Sequence, residues 1–267
     1  MPMPIHIGSD ERPHTASLGS FAVHVWIVDL TGTGTRENPQ PASDEGRPAG
    51  GDSSDIADRR ASKAIADEWL YRLLGAYTGT PASQIRLKTD KWGKPGLRRR
   101  LRDVLRGTRL HFNVSRTARF AAFAFSRKTR VGIDIERIRP IETLPIAERE
   151  FCKQCLETLA GLHGADRLLQ FYRYWTRKEA VLKYHGVGLA HEHRLYDSSR
   201  ENCCRRCSGI CEPDDGLLDL PLRPDRDLIG AVAAPSARRN TRVFEILGTD
   251  FAIDSASSGD PIVTALE

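Results

Sequence analysis

The chain has 267 residues, 40% hydrophobic and 28% charged, with 40 Lys+Arg against 35 Asp+Glu for a formal net charge of +5. That length buries a core as one domain or two small ones, and the composition excludes a disordered or fibrous chain. The mild positive charge suits nucleic acid, an acidic protein or a phosphate-rich ligand and selects none of them, while the longest apolar run, Phe21–Val28, is broken by His24 and is far too short to span a bilayer.

Residues 1–20 carry Asp10 and Glu11 and no apolar h-region, so they read as a disordered tail, and the expected compartment is the cytoplasm. Phe21–Val28 predicts the first strand. Thr31–Ser54 is rich in Gly, Pro, Ser and Thr, which predicts a flexible insertion over 31–54. Its Gly32-Thr33-Gly34 lacks the Lys and the following helix of a phosphate-cradling loop. In Asp55–Tyr77, Ile56, Ile65, Trp69, Leu70, Leu73 and Leu74 are spaced as the buried stripe of a long helix. Ile85 and Leu87 mark a short strand before the turn Lys91-Trp92-Gly93-Lys94-Pro95. The arginine-rich run Leu97–Arg109 is either a solvated face or a basic rim for an acidic partner.

Phe112–Ser115 and Phe120–Phe125 predict two paired strands, and Ser126–Arg130 links them to the next element. There, Val131-Gly132-Ile133-Asp134-Ile135-Glu136-Arg137 alternates with period two, which puts Asp134 and Glu136 on one strand face and the apolar residues on the other. Leu144–Leu162 and Asp166–His185 read as helices. Strand candidates follow at His193–Tyr196, Leu217–Leu222, Leu228–Ala233 and Arg242–Ile246. This order of strands and helices gives an α+β class. Four of the six cysteines cluster at Cys203, Cys204, Cys207 and Cys211, near His191 and His193. With no second spaced pair, that cluster reads as a reduced loop more readily than as a zinc site.

Trp175, Glu179 and Lys183 stand four apart in the helix predicted over Asp166–His185 and share a face, closed by the stop signals Gly186 and Gly188. By itself this spacing describes a buried Trp beside an ordinary Glu–Lys surface pair. Asp134 and Glu136 change its meaning. Two adjacent carboxylates repel unless a cation sits between them, and oxygen ligands of this type suit Mg²⁺ with its remaining positions open to water and phosphate. A third carboxylate and a Lys on a neighbouring helix would complete a site for a metal-bound diphosphate.

Gly132–Glu136 and Trp175–Leu189 resemble the two signatures of the Sfp-type 4′-phosphopantetheinyl transferases: a G-[IV]-D-[IV]-E strand and a W-[ST]-x-K-E-[AS]-x-x-K-x-x-G-x-G-L helix, in order and at the right separation. Val23–Leu30, Gly93-Lys94-Pro95 and His111–Thr117 resemble further stretches of that family. The resemblance implies two similar α/β halves packed as a pseudo-dimer, 21–127 and 128–267, with coenzyme A in the cleft between them. It implies Mg²⁺ on Asp134, Glu136 and Glu179, with Glu179 and Lys183 catalytic and Asp134 also contacting coenzyme A. Lys94, Ser115, Arg116 and Lys183 are then the coenzyme A-binding candidates. The implied reaction moves the phosphopantetheine arm onto a serine of an acidic acyl- or peptidyl-carrier protein of fatty-acid, polyketide or non-ribosomal peptide synthesis. A cytoplasmic monomer with no nucleic-acid or membrane partner is expected.

Three positions depart from the family pattern. Arg116 stands where His is usual, Cys155 stands where F-[ST]-x-x-E would put Glu (Glu157 being two residues out of place), and Tyr71 stands where Arg is common. Arg59, Arg60 and Lys63 lie upstream of Tyr71 without a readable role. Two other functions compete: a non-catalytic relative that binds coenzyme A or a carrier, and a metal-dependent nuclease. The nuclease reading wants a Lys two residues beyond a strand Glu, where this chain has Ile138.

Overall fold

Among the described residues, the alternation over 132–137 becomes strand and the helical spacing over 166–185 becomes helix. The computed structural model describes residues 5–6, 22–30, 53–91, 93–98, 109–117, 119–187, 216–222, 227–235, 237–247 and 262–266. Its first elements are β1 (Ile5–His6), β2 (Val23–Asp29), α1 (Ser53–Thr78), β3 (Leu87–Thr89), β4 (Pro95–Leu97), β5 (His111–Thr117), β6 (Phe120–Ser126) and β7 (Gly132–Arg137). There follow α2 (Thr143–Glu150), α3 (Lys153–Ala160), α4 (Gly164–His185), β8 (Leu217–Asp219), β9 (Leu228–Ala233), α5 (Ala237–Asn240), β10 (Thr241–Leu247) and β11 (Ile262–Leu266).

The protein is α+β. Six strands form one sheet in the order β1-β11-β10-β2-β6-β5, three form a second in the order β7-β9-β8, and β3 pairs with β4 as a hairpin. Within the large sheet β10 runs parallel to β2, and β6 is antiparallel to both β2 and β5. The C-terminal strands thus return to the sheet that the N-terminal β2 begins.

Among the described residues, three apolar cores separate four layers. Trp69, Leu70, Leu73, Leu74 and Tyr77 of α1 pack on one face of the large sheet against Trp26, Val28, Phe123 and Phe125. The opposite face, with Val23, Val25, Ile27, Ala122 and Ala124, packs on Val131, Ile133, Ile135 and Val232 of the small sheet. Beyond the small sheet, Ala231 and Ala233 meet Phe171, Tyr172, Tyr174 and Ala180 of α4, with Phe151, Cys155 and Leu159 beside them. Each sheet is buried on both faces, which is why β2 and β6 read as nearly continuous apolar runs.

The single helix expected over Leu144–Leu162 is two. Phe151 and Cys152 adopt extended backbone between α2 and α3. Phe151 there is 1% exposed and packs its ring against Phe171 and Tyr174, and this burial outweighs helix continuity. Ile5 and His6, in the stretch expected to be a tail, pair with Val263 and Ile262. The rest of that stretch, residues 31–52 of the expected insertion, the expected strand His193–Tyr196, and Cys203–Cys211 lie outside the described residues.

Candidate active site

The site begins with a glycine. Any Cβ at Gly132 would overlap the Ala180 carbonyl oxygen and the Tyr184 backbone nitrogen, so only glycine lets β7 lie directly on the backbone of α4. Across the ladder, Gly230 faces Ile135, and a Cβ there would stand 2.8 Å from the Asp134 carbonyl oxygen. The bare Gly132 brings α4 down onto the strand beside Asp134, which is 3% exposed. At its far end α4 stops at Gly186, whose left-handed φ of 75° closes the last turn through bonds to the Leu182 and Lys183 carbonyls.

Asp134 Oδ1 accepts hydrogen bonds from Lys183 Nζ at 2.6 Å and from Ser115 Oγ at 2.8 Å. Asp134 Oδ2 is buried and has no partner. Glu136, two residues on, accepts from Thr117 Oγ1 at 3.1 Å. Burial pushes the Asp134 carboxyl above its ordinary range, against the pull of Lys183, Ser115 and the Ile135 amide. Burial also raises Glu136, and the Asp134 charge adds to the shift. Glu179 is pushed up to about 7, first by burial and then by Asp134 and Glu136, which together outweigh Lys183 and Lys178. Burial raises all three carboxyls, and the Asp134 charge raises Glu136 and Glu179 further, the electrostatic mark of a place where positive charge is wanted.

These residues suit a small hard divalent cation such as Mg²⁺. The buried Oδ2 of Asp134 is an acceptor without a donor, and the donor set is all oxygen. Among the described residues no three His, Cys, Asp or Glu side chains already close into a cage. Mg²⁺ itself commonly takes just one or two carboxylates and leaves its other positions to water and phosphate.

Lys94 and Arg116 lie apart from the carboxylates. From the β3–β4 turn, Lys94 Nζ reaches the Val131 carbonyl at 3.3 Å and also bonds the Lys183 carbonyl. It is thus seated on the negative end of α4. Burial, with Arg130 and Lys183 nearby, lowers its amine to about 8 despite Asp90. The same crowding, after burial, holds His111 at about 4 through Arg109, Arg130 and Lys94, and lowers His185 through Arg130 and Lys94. Lys94, Arg109 and Arg130 thus crowd together around His111, with Lys183 near Lys94. Arg116 is exposed and alternates with Ser115, so it lies on the face of β5 that carries Phe112 and Val114.

The departures from pattern also find places. Cys155 is fully buried in the third core, where α3 faces α4. Glu157 is exposed and pairs with Lys153 at 3.6 Å. Tyr71 packs at the edge of the first core, Arg60 is exposed, and Lys63 pairs with Asp67; nothing is described of the Arg59 side chain.

Sequence reasoning missed Thr117, Arg130, Glu150 and Lys178. Lys178, 2% exposed, sends Nζ to the Glu150 carbonyl at 2.7 Å and to Glu150 Oε2 at 3.0 Å. The neighbouring Arg177 makes a two-pronged contact with Asp219, at 2.7 and 2.6 Å. The available signal was the spacing: Arg177 and Lys178 directly precede Glu179, so on a helix they cannot share its face.

Residues 130–210 match the model of the 4′-phosphopantetheinyl transferase superfamily. The 4′-phosphopantetheinyl transferase HetI of a Nostoc species is 31% identical over 189 residues, covering 67% of this chain and 75% of that protein. The 4′-phosphopantetheinyl transferase Sfp of Bacillus subtilis is 36% identical over 108 residues, 40% of this chain and 44% of the relative. The L-aminoadipate-semialdehyde dehydrogenase-phosphopantetheinyl transferase of Mus musculus is 33% identical over 144 residues, 50% of this chain and 45% of the relative. The match to the superfamily model contains both the Asp134–Glu136 strand and the Glu179–Lys183 helix, and the match to HetI extends over two thirds of either chain; the chain belongs to the 4′-phosphopantetheinyl transferase superfamily.

Proposed function

We propose that the cluster of Asp134, Glu136, Glu179 and Lys183 is the centre at which this enzyme transfers the phosphopantetheine group of coenzyme A to a serine of a carrier protein. The observation that carries this reading is the unpartnered, buried Oδ2 of Asp134 beside Glu136 and Glu179, whose carboxyls burial and the Asp134 charge both raise. Asp134, Glu136 and Glu179 would hold Mg²⁺. When bound, that ion would neutralise charge on the diphosphate and orient it.

The carrier serine hydroxyl attacks the inner phosphorus of the diphosphate, and the phosphorus–oxygen bond to adenosine 3′,5′-bisphosphate breaks. The bisphosphate leaves with the bond's electron pair. The Glu179 carboxylate is assigned to take the serine proton. Lys183, held between Asp134 and Ser115, presents its ammonium to the developing charge on the diphosphate oxygens. Lys94, Ser115 and Arg116 are assigned to coenzyme A, with Lys94 and Arg130 supplying positive charge for phosphate.

In this reading 21–127 and 128–267 are two halves packed as a pseudo-dimer, with coenzyme A in their joint. Direct contact between β5 and β7, an edge strand of each of the two sheets, supports it. The β10–β11 pair is then handed back to the first half. No described helix is long and apolar enough to cross a membrane. A cytoplasmic monomer acting on acidic carrier domains of fatty-acid, polyketide or non-ribosomal peptide synthesis completes the proposal.

The test is intact-mass measurement of purified apo carriers of those three kinds, incubated with the enzyme, coenzyme A and Mg²⁺. One added phosphopantetheine arm is expected on at least one carrier, dependent on the metal. No mass gain on any of them would overturn the reading.

A further inference from the structure

β5 is an edge strand of the large sheet and β7 an edge strand of the small one, and they lie together without belonging to one sheet. Side chains of β5 stand in for the missing backbone pairing. Asn113 Oδ1 accepts the Ile133 amide at 2.9 Å, Ser115 Oγ the Ile135 amide at 3.3 Å, and Thr117 Oγ1 the Arg137 amide at 3.1 Å. All three rungs keep the same offset, 20 residues, and use every second residue of both strands. Period-two geometry requires this: 113, 115 and 117 share one face of β5.

The last two rungs do more than join the strands. A hydroxyl has one hydrogen to give. With its oxygen taken by an incoming amide, Ser115 gives that hydrogen to Asp134 Oδ1 and Thr117 gives its own to Glu136 Oε2. Each hydroxyl thus accepts from the amide following a carboxylate residue and donates to that residue's carboxylate, which leaves the side chain little freedom to turn. At the first rung the β7 position is Gly132, and Asn113 has no carboxylate to direct.

We infer that Thr117 is a positioning residue: its hydroxyl aims the Glu136 carboxylate, as Ser115 aims Asp134, so that edge strand β5 sets the geometry of carboxylates borne on β7. This rests on the proposed role of those carboxylates as the metal site. Outer hydrogen bonds of this kind typically change metal affinity by about 10–100-fold when removed.

The test uses the full chain and Mn²⁺ alone as the probe, its dissociation constant read by electron paramagnetic resonance without coenzyme A. Variants are Thr117→Val, which keeps the shape and removes the hydroxyl, Thr117→Ser, which restores it, Glu136→Ala, and the double variant Glu136→Ala/Thr117→Val. Expected are about ten-fold weaker binding in Thr117→Val, affinity within about two-fold of wild type in Thr117→Ser, and no further loss from Thr117→Val once Glu136 is absent. Unchanged Mn²⁺ affinity in Thr117→Val would overturn the inference. So would an equal loss in the Glu136→Ala background, since Thr117 would then act only by joining the sheets. If Glu136→Ala binds Mn²⁺ as wild type does, or wild type binds none, the carboxylate-site reading itself falls and this inference falls with it.

Discussion

At the scale of single residues, the centre stores charge that the fold does not neutralise. Asp134 has Lys183 and Ser115 on one oxygen and nothing on the other. Asp134→Ala and Glu179→Ala are each expected to lower transfer by at least about 100-fold while the far-ultraviolet circular dichroism stays that of wild type. Near-wild-type rates with Mg²⁺ as the only metal would remove both residues from the centre. Stability should move the other way. Glu179 is held near 7, above its usual 4.5, so in metal-free protein its ionisation works against folding above pH 7. Glu179→Gln is therefore expected to be more stable than wild type in chelator at pH 8, on the order of 2 kcal/mol. The sign follows from the raised folded value: the fold binds the proton more tightly than the unfolded chain, so the difference fades as pH falls from 7 to 4.5. Urea melts at pH 8 and pH 5 measure it, and a variant no more stable than wild type at pH 8 would contradict it.

At the scale of elements, three of the contacts that hold α4 can be removed separately. Gly132 keeps β7 against its backbone, Arg177 binds Asp219 of β8, and Lys178 binds Glu150 at the end of α2. Burial opposes ionisation of Glu150, yet hydrogen bonds from Arg149 and Lys178 bring its carboxyl net below the ordinary value. Glu150→Ala would leave the Lys178 ammonium buried with less compensation, and is expected to cost about 3–5 kcal/mol in urea melts. A loss under about 1 kcal/mol would mean that the partners left to Lys178 suffice without the Glu150 carboxylate. Gly132→Ala forces a methyl into the α4 backbone and should cost about 3 kcal/mol or more, with transfer lost because Glu179 moves with the helix. Wild-type melting and rate would show that α4 can shift freely on β7. The elements themselves were mostly legible: α1, α4, β6, β7 and β9 lie where spacing predicts them. The break at Phe151–Cys152 was not, because ring packing against Phe171 and Tyr174 decides it. The Asn113–Ser115–Thr117 ladder was not either. Its partners lie on a different sheet, and no local period records which edge strands will meet.

At the scale of the whole molecule, the site was readable because its two motifs carry local patterns, whereas the burial of polar groups between layers was not. His24 shows this. It falls inside an apolar strand, and the fold places it 2% exposed in the large sheet, under α1. Its Nδ1 lies 2.8 Å from the Tyr77 hydroxyl, which also accepts Trp26 Nε1 at 2.8 Å. Burial, then Arg242 and Arg127, lowers its pKa from 6.5 to about 4. The unfolded chain takes up a proton near 6.5 and the fold resists until about 4, so the unfolded state binds more protons throughout that window. The contribution of neutral His24 is complete above 6.5 and is lost progressively as pH falls toward 4, by about 2–3 kcal/mol. Glu179 acts with the opposite sign in the same window, so the wild-type curve alone would understate the effect. The informative quantity is the difference in unfolding free energy between wild type and His24→Gln, in chelator, at pH 7.5 and pH 4.5. Glutamine keeps polarity without a titrating charge, and the carboxylates cancel in the subtraction. Whatever His24→Gln costs at pH 7.5, wild type should lose about 2–3 kcal/mol relative to it on going to pH 4.5. Parallel curves would mean that His24 accepts its proton in place, with the Tyr77 hydroxyl turning to receive it, and that acid unfolding begins elsewhere.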